Sequence, residues 1–225
     1  MYTAIFFDID DTIFDFELCS KAALERTCRS CGLPYSEEIV ALFRKVDGEL
    51  WHKQRQNLLS VEQVVQSRAQ IITAQLGKPQ AGALFAGSFR ENLSDQAIPV
   101  LDAGRVLSAL SKTYRLYTAS NGVQAAQTRR LNKAGFLRYF TDVYVSDRVG
   151  FEKPAARFFQ CCLERSGLRA EQVLMVGDSL QADIYGAKRA GIDVCWFHPK
   201  CLERPEIPIE INYEISALSE LLDIL

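Results

Sequence analysis

The apolar run Ala4-Ile5-Phe6-Phe7 ends at Asp8-Ile9-Asp10-Asp11-Thr12, and the same succession of apolar run and polar cluster recurs three times. Tyr114-Arg115-Leu116-Tyr117-Thr118-Ala119 ends in Ser120-Asn121-Gly122. Val143-Tyr144-Val145 leads through Ser146 to Gly150-Phe151-Glu152-Lys153-Pro154, and Val173-Leu174-Met175-Val176 ends in Gly177-Asp178 with Asp183 five residues on. Short continuous apolar runs read as strands buried on both faces, which is the condition of a parallel sheet. Open parallel sheets bind ligands just beyond the carboxyl ends of their strands, so four clusters so placed can converge on one pocket.

The first cluster says what kind of pocket. Asp8 and Asp10 are two apart, so in extended chain their side chains share a face. Two carboxylates at 4 Å repel by about 4 kcal/mol at an effective dielectric of roughly 20. A cation removes that penalty, which points to a metal-dependent site with one Asp as nucleophile and the other as acid and base. A solvated acidic turn capping a helix is the alternative for this cluster taken alone.

After residue 100 strands alternate with helices. Helices are expected over 101–112, 124–134, 154–166, 180–190 and 218–225, with late strands over 194–197 and 213–215. Gly135, Gly167 and Gly191 stand just past three of these helices, where a left-handed residue ends the last turn. Such alternation gives a parallel sheet with right-handed crossovers. Between Phe14 and Ile98 the pattern is helical only: Ile39, Leu42/Phe43, Val46 and Leu50 recur at helical spacing, as do Val61, Val64/Val65, Ile72 and Leu76. The expected fold class is therefore α/β, a Rossmann-like parallel sheet with helices on both faces (1–14 and 98–225) and an all-helical domain (15–97) inserted after the first strand.

Taken jointly, Asp8/Asp10/Thr12, Ser120, Lys153 and Gly177-Asp178 with Asp183 resemble, in order and spacing, the four motifs of the haloacid dehalogenase superfamily of phosphohydrolases. The resemblance implies an aspartyl-phosphate mechanism, with Asp8 as nucleophile and Asp10 as the acid and base. It further implies Mg²⁺ held by the Asp8 carboxylate, the Asp10 backbone carbonyl and Asp178, with Asp183 supporting those ligands from behind. Ser120, Asn121 and Lys153 are expected to bind the phosphoryl oxygens, and Thr12 to orient the nucleophile loop through its hydroxyl. Pro154 is expected at the first position of a helix, which would place Lys153 at a positive dipole end.

The helical insert corresponds in this resemblance to a cap that closes over the active site. Leu50-Trp51, Arg68, Ser120-Asn121-Gly122 and Val149-Gly150-Phe151-Glu152-Lys153-Pro154 look like the bacterial pyrimidine 5'-nucleotidases of the superfamily. Trp51 and Arg68 would supply an aromatic platform and a cation for a nucleobase, or else serve as core and as a salt-bridge partner. A small phosphorylated metabolite, a nucleoside 5'-monophosphate, is thus the expected substrate. The rivals are a sugar-phosphate or phosphoglycolate phosphatase, a mutase, and a phospho-accepting signalling module. A 2-haloacid dehalogenase is disfavoured, because that chemistry has no use for Asp10 as a leaving-group acid.

Composition sets outer limits. The net charge of -2 shows no basic footprint for a nucleic-acid polymer, and Arg129-Arg130 reads as a solvated pair on a helix. No apolar stretch approaches the ~18 residues of a membrane span, and the first strand follows Met1 too closely for a signal sequence, so a cytoplasmic protein is expected. Seven cysteines without regular spacing argue against a disulfide framework. Cys28-Arg29-Ser30-Cys31 has no second pair at zinc spacing and is assigned no role.

Overall fold

The computed structural model describes residues 1–199 and 209–225. In chain order the elements are β1 (Ala4–Phe7), α1 (Phe16–Ser30), α2 (Glu37–Arg55), α3 (Val61–Gln75), α4 (Gly82–Ser94), α5 (Ala103–Leu110), β2 (Arg115–Ser120) and α6 (Gln124–Lys133). They continue with β3 (Phe140–Val145), α7 (Ser146–Val149), α8 (Ala156–Ser166), β4 (Val173–Gly177), α9 (Gly186–Arg189), β5 (Asp193–Phe197), β6 (Tyr213–Ile215) and α10 (Leu221–Ile224). Contacts divide the chain into two units, Met1–Phe16 with Ile98–Leu225, and Glu17–Ala97.

The first unit carries a six-stranded sheet in the order β3-β2-β1-β4-β5-β6, every neighbouring pair parallel. Helices cover both faces, as a Rossmann-like fold requires. Ala4 and Phe6 of β1, Tyr117 and Ala119 of β2, and Val173 and Met175 of β4 point to one face. There they pack on Phe158, Phe159 and Cys162 of α8 and on Ala187 of α9. Ile5 and Phe7 alternate to the other face and are equally buried. The close fit of α9 depends on Gly186, where a Cβ would lie 2.6 Å from the Phe159 ring.

The expected helix over 180–190 is two pieces. Leu180–Tyr185 is a π-helical turn, in which the Ile184 amide reaches back five residues to the Ser179 carbonyl at 3.2 Å, before α9 resumes ordinary winding. The helix expected from Pro154 starts instead at Ala156, because Ala155 N closes a turn onto Glu152 O at 3.0 Å. Gly167, at φ +67°, ends α8 as its position anticipates.

The chain leaves and re-enters this unit along two short segments that lie side by side: Asp15 N donates to Ile98 O at 3.0 Å and Val100 N to Ile13 O at 2.9 Å. The second unit is α1 to α4 around Leu24, Phe43, Val64, Ile72, Phe85 and Phe89. Ile39, Phe43, Val46, Leu50, Val61, Val64 and Ile72, all read from helical spacing, are buried. Ser60 and Gln63 begin α3 with reciprocal side-chain caps. No helix among the described residues is long and apolar enough to cross a membrane.

Candidate active site

The four clusters meet at the carboxyl ends of β1, β2 and β4 and in the loop after α7. Asp8 follows β1 directly, its amide held by the Val176 carbonyl at 2.9 Å, and its carboxylate is buried. The neighbouring loop turns sharply, with Asp11 left-handed at φ +59° and its carboxylate accepting from Phe16 N at 3.1 Å.

Lys153, only 2% exposed, donates from Nζ to Asp8 Oδ1 and to Asp183 Oδ1, both at 2.6 Å. Since the helix begins beyond Pro154, another element places this lysine. The Asn121 side chain accepts from Lys153 N at 2.8 Å and donates to Lys153 O at 2.9 Å, so it grips the lysine backbone from β2's end. The side-chain amide of Asn121 is therefore engaged with the Lys153 backbone.

Asp183 sits in the π-helical turn, with no exposed surface, and its Oδ2 accepts from Ser179 N at 3.0 Å. Gly177 makes room for it, since a Cβ at that position would fall on the Asp183 carboxylate. Asp178 is partly buried, and its carbonyl accepts from the Trp196 indole at 2.8 Å.

Oxygens of Asp8, Asp178 and Asp183 all lie within 4.8 Å of one another. Three carboxylates face one ammonium, so charge is unbalanced in a place of low dielectric. Burial, opposed by Lys153 and reinforced by Asp183, pushes the Asp8 carboxyl up to about 7. Burial together with Asp183 and Asp8 pushes Asp178 well above the ordinary carboxylate range. Burial works to lower the Lys153 ammonium, but Asp183 and Asp8 outweigh it and raise it. An all-oxygen set with excess negative charge suits a hard divalent cation. Asp8 and Asp178 are the ligands that fit it, because both oxygens of Asp183 are engaged by Lys153 and Ser179.

The Asp10 carboxylate is held from α6. Its Oδ1 accepts from Arg130 Nη1 at 2.6 Å and its Oδ2 from Gln127 Nε2 at 2.9 Å. Ser120 is buried at the end of β2 and donates to the Asn121 carbonyl at 3.3 Å. Arg130, read from sequence as solvated, is 1% exposed and stacks over Phe14 with its guanidinium carbon 4.9 Å from the ring centroid. The missed signal was its position: Gln127, Arg130 and Leu131 share the inward face of α6, where a polar residue needs a partner. Thr12 is fully buried, and its hydroxyl makes no hydrogen bond among the described residues.

The two insert residues lie within the helical unit. Arg68 is 5% exposed, donates to Asp47 Oδ1 at 2.5 Å, and lies over the rings of Phe43 and Phe89 at 5.2 and 4.5 Å. The guanidinium is thus engaged inside the helical unit, in the salt bridge that is one of its two expected roles. Trp51 packs against the same apolar cluster. Cys28 is buried and its thiol pushed up to about 11 by that burial, the opposite of an activated thiolate.

Comparison with known proteins agrees with this fold. The solved structure of the HAD-hydrolase YfnB from Bacillus subtilis, bound to magnesium, is 33% identical with a TM-score of 0.92, covering 100% of this chain and 98% of that one. The pyrimidine 5'-nucleotidase PynA of Streptococcus pneumoniae is 30% identical over 100% of this chain and 95% of its own length. A glyceraldehyde 3-phosphate phosphatase of Methanothermobacter thermautotrophicus is 32% identical over 99% of this chain and all of its own. The family model for haloacid dehalogenase-like hydrolases matches residues 5–197, from the strand that carries Asp8 to the one whose tryptophan holds the Asp178 loop. By that match, and by relatives alignable from end to end, the chain belongs to the haloacid dehalogenase-like hydrolases.

Proposed function

We propose that this protein is a Mg²⁺-dependent phosphatase that hydrolyses nucleoside 5'-monophosphates through an aspartyl phosphate. The observation that carries the chemistry is the unbalanced cluster of Asp8, Asp178 and Asp183 around Lys153 at the sheet's carboxyl edge. Asp8 attacks phosphorus as the bond to the leaving oxygen breaks, and Asp10 gives that oxygen its proton. Water then attacks the aspartyl phosphate while Asp10 takes a proton back, releasing phosphate and restoring the Asp8 carboxylate. Lys153 and Ser120 bind the transferring oxygens, with Asn121 fixing the lysine's backbone and Asp183 its ammonium. The Asp8 and Asp178 carboxylates and the Asp10 carbonyl would hold Mg²⁺, which would supply charge neutralisation for the phosphoryl oxygens.

In this reading the choice among esters is assigned to the helical unit, since the sheet-bearing residues handle only phosphate, metal and proton. Likeness to PynA along the whole chain supports the nucleotide. A sugar phosphate is the second reading, favoured by the glyceraldehyde 3-phosphate phosphatase at comparable identity. A Mg²⁺-supplemented phosphate-release screen over nucleoside 5'-monophosphates, sugar phosphates and phosphoglycolate decides between them. The highest kcat/KM on pyrimidine nucleotides is expected. A preference for triose or sugar phosphates would replace the substrate and keep the chemistry, and release from none of them would overturn both.

A further inference from the structure

Asp10 is held by a closed set of side chains on one helix. Arg130 Nη1 gives one hydrogen to Asp10 Oδ1 at 2.6 Å and the other to Gln127 Oε1 at 2.9 Å. Gln127 Nε2 in turn gives one hydrogen to Asp10 Oδ2 at 2.9 Å and one to Ser120 Oγ at 3.3 Å. The amide has a single workable orientation, because reversing it would set oxygen against carboxylate and nitrogen against guanidinium. Gln127 and Arg130 are three apart on α6, which places both on one face, and both are buried. Phe14, from the segment that follows Asp10, closes the far side of the guanidinium. Each carboxylate oxygen therefore has one fixed donor, and the side chain has little freedom to rotate.

We propose that Arg130 and Gln127 are positioning residues that hold the Asp10 carboxyl where a proton can pass to the leaving oxygen. The inference rests on the reading of Asp10 as the acid and base. A general acid contributes only when its proton lies within hydrogen-bond reach of the leaving atom, so a loosened Asp10 loses rate although it keeps its chemistry. The clamp also joins the acid to the strand end that carries Ser120, so the group facing the leaving oxygen and a group facing the phosphoryl oxygens share one amide.

The test uses the full chain with Mg²⁺ and two esters: an alkyl phosphate, whose leaving oxygen needs a proton, and 4-nitrophenyl phosphate, whose leaving group needs little. Gln127→Leu and Arg130→Lys are each expected to lower kcat/KM about tenfold or more further on the alkyl ester than on the nitrophenyl ester, as a weakened proton transfer requires. Disturbance of Ser120 falls on both esters alike and leaves their ratio unmoved. Combined with Asp10→Asn, neither change is expected to lower the alkyl rate further. Equal losses on the two esters, or losses that multiply with that of Asp10→Asn, would overturn the proposal. If Arg130→Lys does not fold, Gln127→Leu decides by itself. Asp10→Asn is the control: no discrimination between the esters by that variant would remove the role of Asp10, and the clamp's role with it. Discrimination by it alone would remove only the clamp's.

Discussion

Both units of this chain bury a cation against carboxylates, and they do so on different terms. In the helical unit Arg68 donates to Asp47, its guanidinium lying over the rings of Phe43 and Phe89. In the sheet-bearing unit Lys153 meets Asp8 and Asp183, with Asp178 beside them. The first arrangement closes on itself, since each charge finds its opposite and apolar surface seals the pair. The second is left with an excess of carboxylates, which a further cation would balance. Burial of a charge thus does not by itself mark a reaction centre; imbalance of buried charge does.

The comparison breaks most visibly at Asp8. Asp8→Asn removes the attacking oxygen's charge, and activity should fall further than the roughly 10²- to 10⁴-fold expected of a lost proton shuttle. Rapid-quench mass spectrometry of the wild type should find phosphate on the peptide containing Asp8. Trapping of label by Asp8→Asn, or on another peptide, would show that the unbalanced cluster is not the centre of the chemistry.

Metal removal comes next. Thorough EDTA treatment should abolish phosphate release, and Mg²⁺ at about 100 times its Kd should restore it while stabilising the fold by about 2.7 kcal/mol. Asp178→Asn should lose most of that thermal shift. Undiminished activity without metal would contradict the excess charge as a cation site.

On the balanced side, Arg68→Ala takes the cation away from the buried Asp47 carboxylate and should cost about 3–5 kcal/mol of stability. The ratio of kcat/KM between the best substrate and 4-nitrophenyl phosphate should hardly move. Replacing both partners, Arg68→Met with Asp47→Leu, should recover much of the stability, because two apolar groups leave no unpaired charge. A changed substrate ratio at unchanged stability would make this pair part of the substrate site after all. Smaller still, Gly177→Ala should displace Asp183 and cost about 1–3 kcal/mol, the usual range for overpacking, which chemical denaturation measures.

These outcomes bear on how far the chain can be read without coordinates. The strands and the clusters at their carboxyl ends were legible, because a parallel sheet demands unbroken apolar runs and because carboxylates at a strand end need a reason. Lys153 and Asp183 were legible as members of the joint pattern. Which atoms meet was less so. Arg130 looks like half of an exposed pair when read with Arg129 alone, and its inward side shows only from its spacing to Gln127 and Leu131 on α6. Arg68 interrupts an apolar helical face in the same manner, yet its partner is another helix of its own unit. Pro154 reads as a helix start by propensity, whereas the turn from Glu152 to Ala155 delays the helix to Ala156. For the two arginines a contact distant in sequence decides, and for Pro154 a competing local turn does.

The paired segments around residues 13–15 and 98–100 have a consequence for how such a chain can change over time. Because the sheet-bearing unit closes on itself across that seam, everything from Glu17 to Ala97 is, to the sheet, a loop with its two ends already joined. Loop closure grows only as the logarithm of length, about 0.6 kcal/mol for each doubling. An insert of four helices is therefore scarcely harder to accommodate than one of two. Nucleophile, lysine and acidic cluster all lie on the same side of the seam, so the inserted segment can be lengthened, shortened or exchanged while the strand order that assembles them stays intact.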